Sequence, residues 1–381
     1  MNILWMTWKD GEHPEAGGAE VVNEELAKRL VGDGHEVTFL VAGFGAGGET
    51  TATESARDGF NIIRVGTRYT VYWRAYQYYK NHLTSWPDLV IDEVNTVPFF
   101  ASRYVKQKNI LFFHQLARQI WFYQMMFPLS LVGYLLEPLY LRLLAGRGTK
   151  VVTVSSSSKG DLARHGFAIN RISIIGEGIE LSPLPPSEFS LATAAKLETL
   201  HTAPVILALG AVRPMKRTAH VVEAFELLKV MFSGAKLVIA GETAGKYGAK
   251  VLQQIKNSPY AKDIEVLGRI TKEEKIALLQ TSHVLLAASV KEGWGLVVTE
   301  ANSQGTPAAV YNVDGLRDSV RHEETGYVAA NNTPAMLAAA AEKLLLDTET
   351  YAKIRQNAWE WSQELTFDAS YKQFKDILDH A

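Results

Sequence analysis

Aliphatic and β-branched runs of four to six residues alternate with stretches of helical spacing, and this alternation constrains the fold more than any other feature of the chain. Residues 3–5 start a strand, residues 19–31 carry apolar side chains at helical intervals (Val21, Val22, Leu26, Ala27, Leu30), and residues 37–41 form the next strand. Further strands are expected at 61–65, 89–91, 110–113, 151–154 and 172–175. Short apolar strands separated by helices predict a parallel sheet covered on both faces, because parallel neighbours need a crossover that returns along one face.

The rhythm breaks once. Residues 181–190 contain Pro183, Pro185 and Pro186, and residues 192–202 hold no clear strand. It restarts at 205–209 and continues through strands at 236–240, 264–267, 284–287 and 308–311, with helices such as 220–231 and 272–281 between them. At roughly 150 residues per domain, 381 residues suit two domains. The reading is therefore α/β: two doubly wound, Rossmann-like units, with an N-terminal domain at 1–180, a linker at 181–203 and a second domain at 204–350. A helical tail, 351–381, with aromatic anchors Trp359, Trp361 and Tyr371, is expected to cross back to the first domain.

Composition narrows the function. A net charge of -2 supplies no global basic field, so nucleic acid is not an expected partner. The absence of cysteine excludes disulfides, thiolate metal sites and thiol nucleophiles, and suits a reducing compartment. The start of the chain lacks the charged n-region and long apolar stretch of a signal peptide. Residues 119–136 are uncharged but interrupted by Pro128, Gly133 and two glutamines. Three readings stand for this region: buried or cleft-lining helices, a peripheral membrane contact through residues 119–144, or a membrane span.

The most informative motif follows the strand at 284–287. Glu292 and Glu300 bracket seven residues that include Gly293, Trp294, Gly295 and Leu296. The glycines permit a tight loop and close ligand approach. A helix from 296 to 304 then presents unbonded amides at its start, which suit a phosphate or an electron-rich sugar. A carboxylate can grip two vicinal hydroxyls, as on ribose or a hexose. A second element, Gly210-Ala211-Val212-Arg213-Pro214-Met215-Lys216-Arg217, follows a strand directly. A glycine turn followed by cations suits a diphosphate leaving group, whose developing charge fixed cations stabilise.

This block, with Gly268-Arg269 before it and Thr325-Gly326 after it, resembles the Glu–seven residues–Glu signature of the family-four retaining glycosyltransferases of GT-B fold, and the resemblance runs in order across nearly the whole chain. It implies two Rossmann-like domains facing across a cleft. It implies transfer of a hexose from a UDP- or GDP-linked donor to a glycan or lipid-linked acceptor, with retention, without metal or other cofactor. Glu292 would hold the donor sugar near the reacting carbon, Glu300 the ribose hydroxyls, and Gly293 to Leu296 would line the sugar and diphosphate. Lys216 matches the family's phosphate lysine. The family's arginine position is Ala211 here, leaving Arg213 or Arg217 as substitutes. Gly17 and Gly18, between the first strand and its helix, resemble the family's N-domain glycine loop facing phosphates and acceptor. His114 stands where the family often has a histidine near the scissile bond, a catalytic assignment. Glu93 and Asn95, after another strand, are candidate acceptor contacts.

Other signals carry less. Gly43-x-Gly45-x-x-Gly48 has a dinucleotide fingerprint's letters, but it follows the second strand and precedes a polar stretch, 49–60, that reads as a flexible loop. No metal-ligand spacing of histidines and no Asp-x-Asp triplet occurs. The rival functions are a sugar-nucleotide epimerase or phosphorylase of the same architecture, a non-catalytic sugar-nucleotide or glycan-binding protein, and an NAD enzyme. The expected location is cytoplasmic, peripheral on the inner face of the membrane.

Overall fold

The computed structural model describes residues 1–44 and 52–380. The glycine fingerprint beginning at Gly43 lies mainly outside the described residues. The chain divides into two compact units, Met1–Gly178 with Phe367–Ala381, and Ile179–Thr366.

The first unit holds an eight-stranded sheet. Its strands are β1 (Asn2–Met6), β2 (Glu36–Val41), β3 (Thr53–Arg57), β4 (Phe60–Arg64), β5 (Leu89–Glu93), β6 (Lys108–Phe113), β7 (Lys150–Thr153) and β8 (Ile172–Ile174), in the order β3-β4-β2-β1-β5-β6-β7-β8. All pairings are parallel except β3 with β4. In the central register Leu4 lies opposite Thr38 on one side and Val90 on the other. Every residue of β5 is buried, as expected of a parallel strand covered on both faces.

The second unit holds a six-stranded sheet of β9 (Val205–Leu209), β10 (Lys236–Ala240), β11 (Ile264–Gly268), β12 (Val284–Ala287), β13 (Ala308–Val310) and β14 (Gly326–Val328), in the order β11-β10-β9-β12-β13-β14 and parallel throughout. A large apolar core in this unit gathers Phe225 and Leu228 of helix Thr218–Met231 with Leu207, Leu237 and Leu285 of the sheet. Helix Lys272–Thr281 starts at a reciprocal cap: Thr271 Oγ1 accepts from Glu274 N at 3.2 Å and Glu274 Oε2 accepts from Thr271 N at 2.7 Å.

Three expectations are corrected. Part of the stretch expected as a flexible loop is β3, an exposed antiparallel edge strand joined to β4 through Asp58 and Gly59, both at positive φ. An Asp-Gly pair supplies the two left-handed residues of a tight hairpin, so the turn ordered a segment whose composition looked structureless. The expected linker contains helix Pro186–Thr199, which belongs to the second unit. Pro186 occupies the first helical turn, where a missing N–H costs nothing, and Phe189 stacks on Trp359 at 4.5 Å. The tail is divided between the units: helix Thr348–Ser362 belongs to the second and helix Phe367–Asp379 to the first.

That last helix is held by Phe374, fully buried between Trp5 (5.9 Å between ring centroids) and Phe112 (6.2 Å). Phe374→Ala should lower stability by about 3–5 kcal/mol. The denaturant midpoint followed by circular dichroism checks this, and an unchanged midpoint would show that the tail is not integral to the first unit.

Candidate active site

In an open α/β sheet the ligand crevice opens where neighbouring strands send their connections to opposite faces, beyond the carboxyl ends of the strands. In the second unit β9 lies between β10 and β12, so that point falls between the loops following β9 and β12. These loops carry the two strongest motifs of the sequence. They are tied by Val290 N donating to Met215 O at 2.8 Å.

The tie brings Lys216 and Glu292 together. Lys216 Nζ donates to Glu292 Oε1 at 2.6 Å, and Ser289 Oγ donates to the same oxygen at 2.6 Å. Both charged side chains remain partly exposed, 33% for Lys216 and 18% for Glu292. Glu292 N donates to Asp314 O at 3.0 Å, and Lys291 pairs with Asp314 at 3.2 Å, anchoring the loop from below. Gly315 lies at φ +79°, and a Cβ there would come within 2.4 Å of the Glu292 carbonyl oxygen, so this close approach requires glycine.

Gly295 precedes helix Leu296–Ser303 and accepts from Val298 N at 2.8 Å. Gly293, Trp294 and Leu296 are half-buried along the approach to that helix start. Glu300 does not share a partner with Glu292. It is 7% exposed and pairs with Lys275 of helix Lys272–Thr281 at 2.5 Å. Burial pushes its carboxyl above the ordinary value, and the Lys275 charge opposes that rise. Of the two candidate substitutes for the missing arginine, Arg213 is exposed. Arg217 sits at φ 48° with its guanidinium 6.0 Å from the Tyr311 ring centre.

In the first unit the corresponding switch is at β1, between β2 and β5. Gly17 and Gly18 lie in the connection after β1, where Gly17 N donates to Glu20 Oε2 at 2.6 Å and Glu20 pairs with Lys9 at 3.2 Å. His114 directly follows β6, as expected, with both ring nitrogens engaged: Nδ1 to Glu177 Oε1 at 3.2 Å and Nε2 to Asn23 Oδ1 at 3.2 Å. Asn23 Nδ2 donates to Glu93 Oε2 at 2.6 Å, which leaves its Oδ1 to accept from the imidazole. With a carboxylate on its other nitrogen, the ring is a double donor, an imidazolium. Burial lowers its pKa, but the bond to Glu177 and the charge of Glu93 outweigh that and raise it overall.

Glu93, expected as an acceptor contact, is 1% exposed and also accepts from Trp5 Nε1 at 3.2 Å. The strand that carries it is covered on both faces, so Glu93 supports Asn23 and His114 from beneath instead of presenting a surface. Asn95, two residues on, is half-buried on the following loop. Sequence reasoning missed Ser289, Lys275, Asn23 and Glu177. Each lies on an ordinary-looking helix or loop, and only Ser289, three residues before Glu292, carried a local signal.

Residues 16–183 match the family model described as Glycosyltransferase Family 4, and residues 192–361 match that described as Glycosyl transferases group 1. The chain belongs to the family-four glycosyltransferases of GT-B fold. N-acetyl-alpha-D-glucosaminyl L-malate synthase of Bacillus anthracis is 24% identical to it over 95% of this chain and 91% of that protein. Other curated relatives of the family are matched over about half of their own length; a D-inositol 3-phosphate glycosyltransferase of Corynebacterium efficiens, 27% identical, is covered to 54%. Among solved structures, sucrose-phosphate synthase from Thermosynechococcus elongatus superposes with a TM-score of 0.79 at 17% identity, covering 100% of this chain and 98% of that one. Anabaena HepE in complex with UDP-glucose gives 0.72 at 16% identity, with 100% of both chains covered. At these identities the structural matches establish the fold.

The buried carboxyls of the first unit make a testable pH signature. Burial pushes Glu93 up to about 7 from 4.5, and Asp92 up to about 6 from 3.8, despite the Asp92 bonds from Phe99 N and Ala101 N. The folded state therefore holds protons that the unfolded chain has already released. Stability from these groups is complete below about pH 4 and is lost as pH rises toward 7. Glu93→Gln should flatten that decline by on the order of 3 kcal/mol across its window. Unfolding free energies measured from pH 4.5 to 7 in both proteins check it. A parallel decline in both proteins would mean that Glu93 is ionised throughout.

Proposed function

We propose that this protein transfers a hexose from a UDP- or GDP-linked donor to a glycan or lipid-linked acceptor with retention at the anomeric carbon, and without a metal ion or other cofactor. The observation that carries this reading is the meeting of Lys216 and Glu292, from adjacent loops at the carboxyl edge of the second sheet. The bond from the anomeric carbon to the diphosphate oxygen breaks, and the electron pair leaves with the diphosphate. Lys216 and the first amides of helix Leu296–Ser303 take up that charge. The acceptor hydroxyl attacks from the same face and passes its proton to the departing phosphate oxygen.

In this reading Glu292 orients the sugar through its hydroxyls. The two donors on its Oε1, from Lys216 and Ser289, hold the carboxylate in place for that role. Glu300 binds ribose, while Gly293 to Gly295 allow the donor close to the backbone. His114, as a doubly donating imidazolium, contributes fixed positive charge and does not carry protons. The absence of cysteine suits a cytoplasmic setting. No helix among the described residues is long and apolar enough to cross a membrane.

Calorimetry with UDP, GDP and ADP tests the donor site. One nucleotide should bind tightly, and Glu300→Ala should weaken it roughly tenfold or more, as expected for loss of a paired hydrogen bond to a charged group. Lys216→Ala should weaken the diphosphate by a similar factor. Glu292→Gln should leave nucleotide affinity within about twofold while cutting turnover by about a hundredfold or more. Absence of binding by all three nucleotides would favour a glycan-binding protein instead, and full turnover in Glu292→Gln would remove that residue from its role.

A further inference from the structure

Helix Leu129–Ala145 of the first unit leaves much of its apolar surface outside. Its buried positions are Ser130, Gly133, Glu137, Leu141 and Leu144, while Val132, Leu135, Leu136, Leu139 and Leu143 are exposed. The orientation is set by the polar and small side. Glu137 accepts from Ala117 N at 2.8 Å, Arg118 N at 2.6 Å and Trp121 Nε1 at 3.1 Å. The Trp121 ring lies so close over Gly133 that a Cβ there would come within 2.4 Å of it. Turning the helix to hide its leucines would strand a carboxylate with three donors and drive a side chain into an indole, so the apolar stripe is fixed outward. The stripe continues into the preceding turn, where Phe122, Met126 (84% exposed) and Phe127 (78% exposed) also face solvent.

The segment that carries this stripe is one-sided in charge. Across residues 94–160 there are eight Lys and Arg and a single acid, the buried Glu137, whereas the whole chain has 41 acids to 39 Lys and Arg. Arg142, on the same helix between Leu139 and Leu143, and Arg147, just past its end, are both exposed. A second copy meeting this face about a twofold axis would bring two faces of like charge together. An anionic lipid surface would accept both the leucines and the arginines. We infer that this face docks the protein on an anionic bilayer, with the leucine stripe and Phe127 in the acyl boundary and Arg142 and Arg147 at the headgroups. The helix has 17 residues and lies in the interface instead of spanning it. Such docking asks nothing of the donor site.

Flotation of the full-length protein with vesicles of phosphatidylcholine, alone or mixed with phosphatidylglycerol, tests this. The protein should float with the mixed vesicles and far less with phosphatidylcholine alone, and added salt should weaken it. Replacing both Leu135 and Leu139 by Ser should reduce partition roughly tenfold or more. Arg142→Ser should cost about fivefold on anionic vesicles only. Both variants should keep the wild-type melting temperature and nucleotide affinity, which separates failure of docking from failure of folding or of the donor-site reading. Wild-type protein that stays unbound with both vesicle types would overturn the inference, as would a serine variant that floats like wild type. So would a lipid-free dimer that the serine variant converts to monomer.

Discussion

A parallel strand buried on both faces can present polar chemistry only at its ends. Its backbone groups are consumed by the ladder, and its side chains are consumed by the helices on either face. Both sheets obey this, and both place their charged groups at carboxyl-terminal edges next to a strand whose neighbours lead in opposite directions, β1 in one unit and β9 in the other. The meeting of Lys216 and Glu292 follows from it. β9 and β12 are hydrogen-bonded neighbours, so the loops that leave them cannot avoid each other, and a residue seven positions past one strand lies against a residue five past the other.

The two edges treat charge differently. In the first unit the cluster around His114 is sealed, with each ring nitrogen committed and each carboxyl held among Trp5, Asn23 and the imidazolium. Removing one member of such a set leaves a buried charge or dipole without its partner, so the cluster is suited to holding a fixed field. In the second unit Lys216 and Glu292 are partly open to water, and their mutual pairing is correspondingly cheap to exchange for other partners. The proposed binding and release of a diphosphate would need that second kind of pair. Glu300 and Lys275 fall between, a buried pair in which desolvation of the carboxyl and the attraction of the lysine oppose each other.

The 129–145 helix shows how a few internal hydrogen bonds can decide an external surface. Its composition is apolar enough to belong to a core. Glu137 and Gly133 claim part of the inward side, one through three donors and the other by making room for Trp121, and Leu135, Leu136, Leu139 and Leu143 are left outside by geometry.

The strand positions were legible because apolar runs of four to six residues have few other uses. Several observed strands, β9, β10 and β12 among them, have the bounds that the runs suggested. The glutamate pair and the glycine-to-lysine loop were legible too, since their spacing is local. What the sequence could not show is which residues distant in the chain come together. Asn23 reaches His114 across 91 positions, and Lys275 reaches Glu300 across 25 from an unremarkable helix. Composition misled at β3, where the Asp58-Gly59 turn outweighed a polar stretch, and at residues 181–203, where Pro186 began a helix instead of breaking one. The sequence by itself determined the elements and the local motifs, through periodicity and turn chemistry that act within a few residues. Only the tertiary structure decided that Glu292 and Glu300 take different lysines, that Glu93 lies buried beside Asn23 and His114, and that a leucine face points outward. Those outcomes depend on burial and on hydrogen-bond partners supplied by other elements.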